Sequence, residues 1–286
     1  MYIVDHWRII EALNRPAKEL GVLPALASLR PQLDICLYDS LPSTNREAWR
    51  LVEQGRGAGT VVIARQQSAG RGQWGRTWVS SPGGLYLSLV LELELAITEA
   101  NLLTIASAWG VATGLENLGI TLQIKWPNDL VSQGQKVGGI LAESRVGQNP
   151  SMVAAAARSP TPALQHVVIG LGVNWSNPLP PNATSIRRLL PDSPRVGVKS
   201  LEDLAAVALR GLLQGYYYWQ QHGPLALIRA YEHKLAHMGQ QVILDGHIAV
   251  VEGVSSNGSL IVVVDQDGAQ TTRFLKPGEI SLGYNG

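Results

Sequence analysis

The sequence predicts an α+β protein: a mixed β-sheet with helices, followed by a small all-β barrel at the C-terminus. Two observations carry this. Up to about residue 237, short β-branched or alternating runs are interleaved with long apolar helical patterns. From Gly239 onward only short strand-like runs remain, with turn dipeptides between them. The organisation expected is an N-terminal extension over 1–36, a main unit over 37–237 and a C-terminal unit over 238–286.

The elements follow in order. Residues 1–36 are broken by Pro16, Pro24 and Pro31, which limits them to one or two short helices. Ile35–Tyr38 reads as a strand. Ser43–Gln54 reads as a helix with Ser43 or Thr44 at its N-cap and Glu47 in the first turn. Thr60–Ala64 is a β-branched strand, 68–84 a Gly-rich loop, Leu85–Leu95 a strand and Leu102–Leu118 a helix. Leu122–Lys125 and Asp129–Ser132 flank a Trp-Pro turn. Gly134 turns the chain into a strand over Lys136–Arg145. A loop is expected over Asn149–Pro162, a strand over Gln165–Asn174 and a Pro-rich loop over Pro178–Pro194. Helices are expected over Leu201–His222 and Pro224–Leu235. The barrel strands are Gln241–Leu244, Ile248–Val254, Ser259–Val264 and Thr271–Leu275. Asp245-Gly246, Asn257-Gly258 and Asp267-Gly268 punctuate them.

Composition narrows the function. The 286 residues have 45% apolar content and a formal net charge of +1, which offers no electrostatic footprint for bulk nucleic-acid or membrane-surface binding. The lone Cys36 cannot form an internal disulfide and fits a reducing compartment. The N-terminus carries Asp5, His6, Arg8 and Glu11 where a signal peptide needs an apolar run, so a cytoplasmic location is expected. The six histidines show no metal-ligand spacing.

Four segments carry candidate chemistry. In Gln67-Ser68-Ala69-Gly70-Arg71-Gly72-Gln73-Trp74-Gly75-Arg76-Thr77-Trp78, glycines let backbone amides approach an anion that Arg71 and Arg76 can neutralise. Neither a P-loop nor a dinucleotide fingerprint fits it. Its exposed indoles make sense as covers for a ligand. In Lys125-Trp126-Pro127-Asn128-Asp129-Leu130 and Lys136–Glu143, Lys136 stands before two glycines as a point charge able to reach a carboxylate or phosphate; a plain hairpin is the alternative. Ile169–Asn174 ends an apolar strand in glycines, where something can pack on bare backbone beside the Asn174 amide. Ser43-Thr44-Asn45 can cap its helix, the better reading of the residues alone, or bond a neutral polar head group.

Taken together and in this order, these segments resemble the biotin–protein ligase family over about residues 38–286. The family pattern of Ser-Thr-Asn, the Gly/Arg loop, Lys-Trp-Pro-Asn-Asp, Lys-x-x-Gly-Ile-Leu and Gly-x-Gly-x-Asn reads here as Ser43–Asn45, Gln67–Trp78, Lys125–Asp129, Lys136–Leu141 and Gly170–Asn174. The resemblance implies a catalytic domain like that of class II aminoacyl-tRNA synthetases and an SH3-like C-terminal barrel. It implies an enzyme that makes biotinyl-5′-AMP from biotin and ATP with magnesium. The biotin then passes to a lysine of a biotin carboxyl carrier protein.

By the same resemblance, Ser43, Thr44, Asn45 and Gln67 bind the biotin head, and Tyr86, Gly139, Ile140 and Leu141 wall it. Gly70, Arg71, Gly72 and Gln73 close over the tail. Lys136 and Arg71 serve the reaction. Trp74, Arg76, Asn128, Asp129 and Asn174 stand near the nucleotide, Asp129 also near magnesium. The family usually has Arg at the position of Gln73, so this chain gives up one positive charge there. Residues 1–36 cannot supply the winged helix of the repressor-type relatives, which implies a monofunctional enzyme, monomeric or homodimeric. A lipoate–protein ligase is the nearest alternative, but its Arg-Arg-x-x-Gly-Gly-Gly pattern is not seen. A non-catalytic biotin-responsive regulator is the alternative of another class, and the weak net charge counts against it.

Overall fold

The computed structural model describes residues 4–95, 99–146, 163–190, 197–266 and 269–283. The loop expected over Asn149–Pro162, the end of the one over Pro178–Pro194 and the Asp267-Gly268 turn lie outside the described residues. Helix α1 (His6–Leu13) and two 3-10 turns form the N-terminal extension. Then come β1 (Asp34–Leu41), α2 (Thr44–Glu53), β2 (Thr60–Gln67), β3 (Leu85–Leu95), α3 (Ala100–Glu116), β4 (Gln123–Lys125), β5 (Asp129–Ser132), β6 (Gln135–Val146) and β7 (Ala163–Val173). Helices α4 (Ile186–Leu189) and α5 (Leu201–Glu232) follow. The two helices expected over 201–235 run as one element, interrupted where Gly223 takes φ +77° ahead of Pro224.

Seven strands form a mixed sheet in the order β1-β2-β3-β7-β6-β5-β4, parallel only between β1 and β2. Strand alternation splits its faces. Val61, Ile63, Leu87, Leu89, Val167 and Ile169 point into the large core under α3 and α5. Both helices are apolar nearly all round because α3 and the first half of α5 are buried. The intervening Val62, Val90 and Val168 face α2 and form a smaller core with Ala48, Trp49 and Leu51. Beside that small core, the same face carries Ser88, Gly139, Gly170 and Gly172, with only Leu141 among them, where further aliphatic side chains would otherwise stand. That interruption makes room for a site.

The small all-β unit expected at the C-terminus is a four-stranded antiparallel sheet, β11-β10-β9-β8, built from β8 (Gln241–Leu244), β9 (His247–Val254), β10 (Leu260–Gln266) and β11 (Ala269–Leu275). Its buried Leu244, Val251, Leu260 and Val262 are continuous with the large core. Trp126 Nε1 donates to Gly258 O at 3.1 Å, and Val254 N donates to Glu232 Oε1 at 2.7 Å. Among the described residues no helix is long and apolar enough to cross a membrane.

Candidate active site

A cavity of about 290 Å3 opens on the α2 face of the sheet. Its inner end is made by Ser43, Thr44 and Asn45 at the start of α2, Gln67 at the end of β2, and Leu141, Gly170 and Leu171 of β6 and β7. Its outer end is made by Arg71, Gly72, Gln73, Arg76, Thr77 and Trp78 of the Gly-rich loop, with Asn128, Asp129, Lys136, Gly139, Ile140 and Gly172 beneath.

The inner end is neutral and tightly bonded. The expected side-chain cap from Ser43 is not made. Gln67 supplies it across the sheet: its Oε1 accepts from the Thr44 N–H at 2.8 Å, so a residue 23 positions away satisfies an orphan donor of the helix. Nor does Glu47 reach back to close a capping box; it accepts from Tyr38 and Arg50. Gln67 Nε2 donates to Ser80 Oγ at 2.8 Å, and Ser80 donates to the Trp78 carbonyl at 3.0 Å. Ser88, fully buried, places its hydroxyl 2.8 Å from Thr44 Oγ1 and 2.6 Å from Asn45 Oδ1. Asn45 lies flat on β7. A Cβ at Gly170 would stand 2.1 Å from Asn45 Oδ1, so only glycine fits.

The outer end is charged. Lys136 Nζ contacts Asp129 Oδ1 at 2.7 Å and stands 5.1 Å from the centre of the Trp78 ring. Arg71 reaches Glu143 Oε1 at 3.0 Å across the cavity mouth. The Trp78 indole covers Gly172 so closely that a Cβ there would come within 2.5 Å of the ring, and its Nε1–H is buried without an acceptor. The loop is a small hairpin. Gly72 N donates to Arg76 O at 2.7 Å, and Trp78 N to Gly70 O at 2.9 Å. Below this end, Lys125 is buried, and that burial pushes its ammonium down to about 8; Asp129 opposes the shift, while Lys136 and Arg76 add to it.

Four of the expected site residues stand off the cavity wall. Tyr86 is buried, with its OH donating to Ser81 O at 2.7 Å, and so braces the loop from below. Asn174 spends its amide on Thr184 O at 3.1 Å and accepts from Asn177, which ties the end of β7 to the following loop. Trp74 is 67% exposed and packs on Gly278 of the C-terminal segment instead of on the cavity. Gly70 sits where any Cβ would strike Trp78 O and Ser80 Oγ. Ser80 and Ser88 carry no signal in the motifs, and Glu143 only closes the Lys136–Glu143 segment; Trp78 reads as a cover and Gly170 and Gly172 as bare backbone, and in the structure the Trp78 indole lies over Gly172. Ser88 was detectable as the one aliphatic hydroxyl inside the apolar run Leu85–Leu93.

Known proteins resemble most of this chain. A family model for the Biotin/lipoate A/B protein ligase family matches residues 37–159. The biotin–[acetyl-CoA-carboxylase] ligase of Paracoccus denitrificans is 32% identical over 237 residues, which cover 77% of this chain and 90% of that protein. The bifunctional ligase/repressor BirA of Bacillus subtilis is 34% identical over 139 residues, 48% of this chain but only 39% of the length of that relative. In fold, the biotin protein ligase of Aquifex aeolicus solved with biotin and ATP superposes with a TM-score of 0.61 at 22% identity, covering 84% of this chain and 99% of that one. The extent of the Paracoccus match, together with the family model spanning strands β1 to β6, places the chain: it belongs to the biotin/lipoate A/B protein ligase family, on its biotin–protein ligase side.

Proposed function

We propose that the chain is an ATP-dependent biotin–protein ligase, with residues 37–237 as its catalytic unit and 238–286 as an SH3-like unit. One observation carries the reading. A single cavity joins a buried, neutral, hydrogen-bonding end at Thr44, Asn45 and Gln67 to a cationic end at Arg71, Arg76 and Lys136. That polarity suits a molecule with an uncharged polar ring and a carboxylate tail set against a polyphosphate.

In the first step the biotin carboxylate attacks the α-phosphorus of ATP, forming an acyl-phosphate bond as the bond to pyrophosphate breaks. Lys136 and Arg71 hold the carboxylate and the α-phosphate together and offset their repulsion, and Arg76 meets the remaining phosphate charge. In the second step the neutral ε-amine of a carrier-domain lysine attacks the acyl carbon; AMP leaves and the amine proton passes to solvent. The Gly72–Thr77 hairpin covers the mixed anhydride and keeps water from it. Asp129 is the carboxylate of the cavity wall, which fits a magnesium ion that takes its other ligands from phosphate oxygens and water. Such an ion would shield the phosphates. Asn128 is held by its side-chain bond to Ile140 O at 2.7 Å and presents the turn beside them.

Labelled biotin, ATP and an isolated biotin-carrier domain test this directly. The expected result is ATP-dependent label on one carrier lysine. Transfer of lipoate in place of biotin, or no transfer at all, would overturn the reading.

A further inference from the structure

Glu143 stands outside the set of residues that the resemblance assigns, yet both of its oxygens are committed at the cavity. Oε2 accepts from Asn45 Nδ2 at 2.7 Å, and Oε1 pairs with Arg71 at 3.0 Å. A carboxylate accepts and does not donate, so it dictates which way the Asn45 amide points. The Leu141 carbonyl, 3.4 Å from the same Nδ2, requires the same orientation. Asn45 Oδ1 then faces Ser88, and at 2.6 Å the only proton available is that of the Ser88 hydroxyl. With that proton spent, the 2.8 Å contact between Ser88 and Thr44 can be filled only by the proton of Thr44. The other polar group near Thr44 Oγ1, Gln67 Oε1 at 3.2 Å, is also an acceptor. Gln67 Oε1 is the longer contact and already accepts from the Thr44 N–H, so the proton goes to Ser88, beneath the cavity floor, and Thr44 offers a ligand only lone pairs.

We propose that Glu143 is a positioning and specificity-determining residue: through Asn45 and Ser88 it fixes Thr44 as an acceptor, so the buried end selects a ring that brings N–H donors. The inference rests on the biotin reading, since a ureido ring has two such donors and a dithiolane ring has none. It also gives the Arg71–Glu143 pair a second consequence, because the residue that orders the inner end also holds the loop arginine of the outer end.

The test compares biotin with an analogue whose two ureido N–H groups are replaced by oxygen, a cyclic carbonate. The readout is the ratio of kcat/KM for adenylate formation with the two substrates, in the unmodified chain and in Glu143→Ala, Glu143→Gln and Ser88→Ala. The preference for biotin should fall about tenfold in Glu143→Ala, the size of effect that a lost charge-assisted hydrogen bond produces. It should fall less in Glu143→Gln, whose carboxamide oxygen can still accept from Asn45. Ser88→Ala cuts the chain of bonds but leaves Arg71 on Glu143. It should lower the preference while KM for ATP stays within about twofold, and it decides the matter if Glu143→Ala does not fold. A damaged scaffold would lower turnover of both substrates together. An unchanged ratio in a folded variant with normal biotin turnover in the unmodified chain overturns this inference alone. Absence of biotin turnover in the unmodified chain overturns the functional reading and this inference with it.

Discussion

The two ends of the cavity are built by opposite means. At the inner end the groups stand on strands or a helix start, buried or half-buried, and hold one another through hydrogen bonds in which Glu143 is the one charged partner: Thr44 by Gln67, Gln67 by Ser80, Asn45 by Ser88 and Glu143. At the outer end the cations sit on a loop or a strand start and rest on carboxylates, Lys136 on Asp129 and Arg71 on Glu143. The inner end is rigid before any ligand arrives. The outer end holds its charges in ion pairs whose cations a ligand carboxylate or phosphate can share. Recognition and reaction are thereby divided along one cavity: shape and proton direction at one end, movable charge at the other.

The largest effect that would break this division is at Lys136. Lys136→Ala removes the outer-end cation that lies deepest, and adenylate formation should fall on the order of 100- to 1000-fold, the scale of losing one preorganised charged donor. A cooperative melting transition in the variant checks that the fold is kept, since the side chain is about three-quarters covered and its loss leaves Asp129 without this partner. Wild-type-like pyrophosphate release would remove Lys136 from the reaction. The inner end is attacked by Gly170→Ala. Its Cβ would stand 2.1 Å from Asn45 Oδ1, and Asn45 cannot retreat because Glu143, Ser88 and the Leu141 carbonyl hold it. KM for biotin should rise at least about tenfold, with a stability loss of about 1–3 kcal/mol from overpacking. A KM for ATP that rose equally would show that the two ends are not separate.

A gain of function sharpens the outer end. Gln73 lines the cavity as a neutral donor where relatives usually place arginine. Gln73→Arg adds a third loop cation, and charge-assisted bonds are about twice as strong as neutral ones. Release of biotinyl-AMP, followed by single-turnover filtration, should slow by about tenfold. Unchanged or faster release would mean that Arg71 and Arg76 already saturate the phosphate.

How far the sequence spoke for itself differs between the two ends as well. The outer end was legible because Arg, Lys, Trp and Gly in a short loop have few structural uses together. Arg71, Gln73, Arg76, Asp129 and Lys136 do converge on one cavity. The inner end was legible only in part, because hydrogen-bonded chains join residues far apart in sequence. Gln67 reaches 23 positions to Thr44, Ser88 reaches 43 to Asn45, and Asn45 reaches 98 to Glu143. Local patterns suggested that Ser43 caps α2, a role that the tertiary fold gives to Gln67. The resemblance implied that Tyr86 and Asn174 stand at the pocket. Strand geometry turns their polar groups to Ser81 and Thr184. In the fold itself, β-branched runs and turn dipeptides marked nearly every strand, and Gly223-Pro224 marked the break within α5, where Gly223 takes φ +77°.

The smallest effect concerns the charge below the outer end. Lys125 is buried beside Lys136 and Arg76, and burial brings its pKa to about 8, with Asp129 as its counterweight. In the unfolded chain a lysine keeps its proton to about 10.4. Between these values the unfolded state binds more protons than the folded one, so raising the pH favours folding. Below about pH 8 both states carry the charge and the full cost of burying it is present; above about 10.5 that cost is gone. The unmodified chain should therefore gain on the order of 1 kcal/mol over Lys125→Met between pH 8 and pH 9. Urea midpoints for the two chains at pH 7, 8, 9 and 10 measure the difference, and parallel curves would refute it. The sign matters for the comparison. A cation kept at a cost beneath the outer end raises the local positive potential around Lys136 and Arg76, and the fold accepts that cost where anions have to be gathered, while the inner end is built without it.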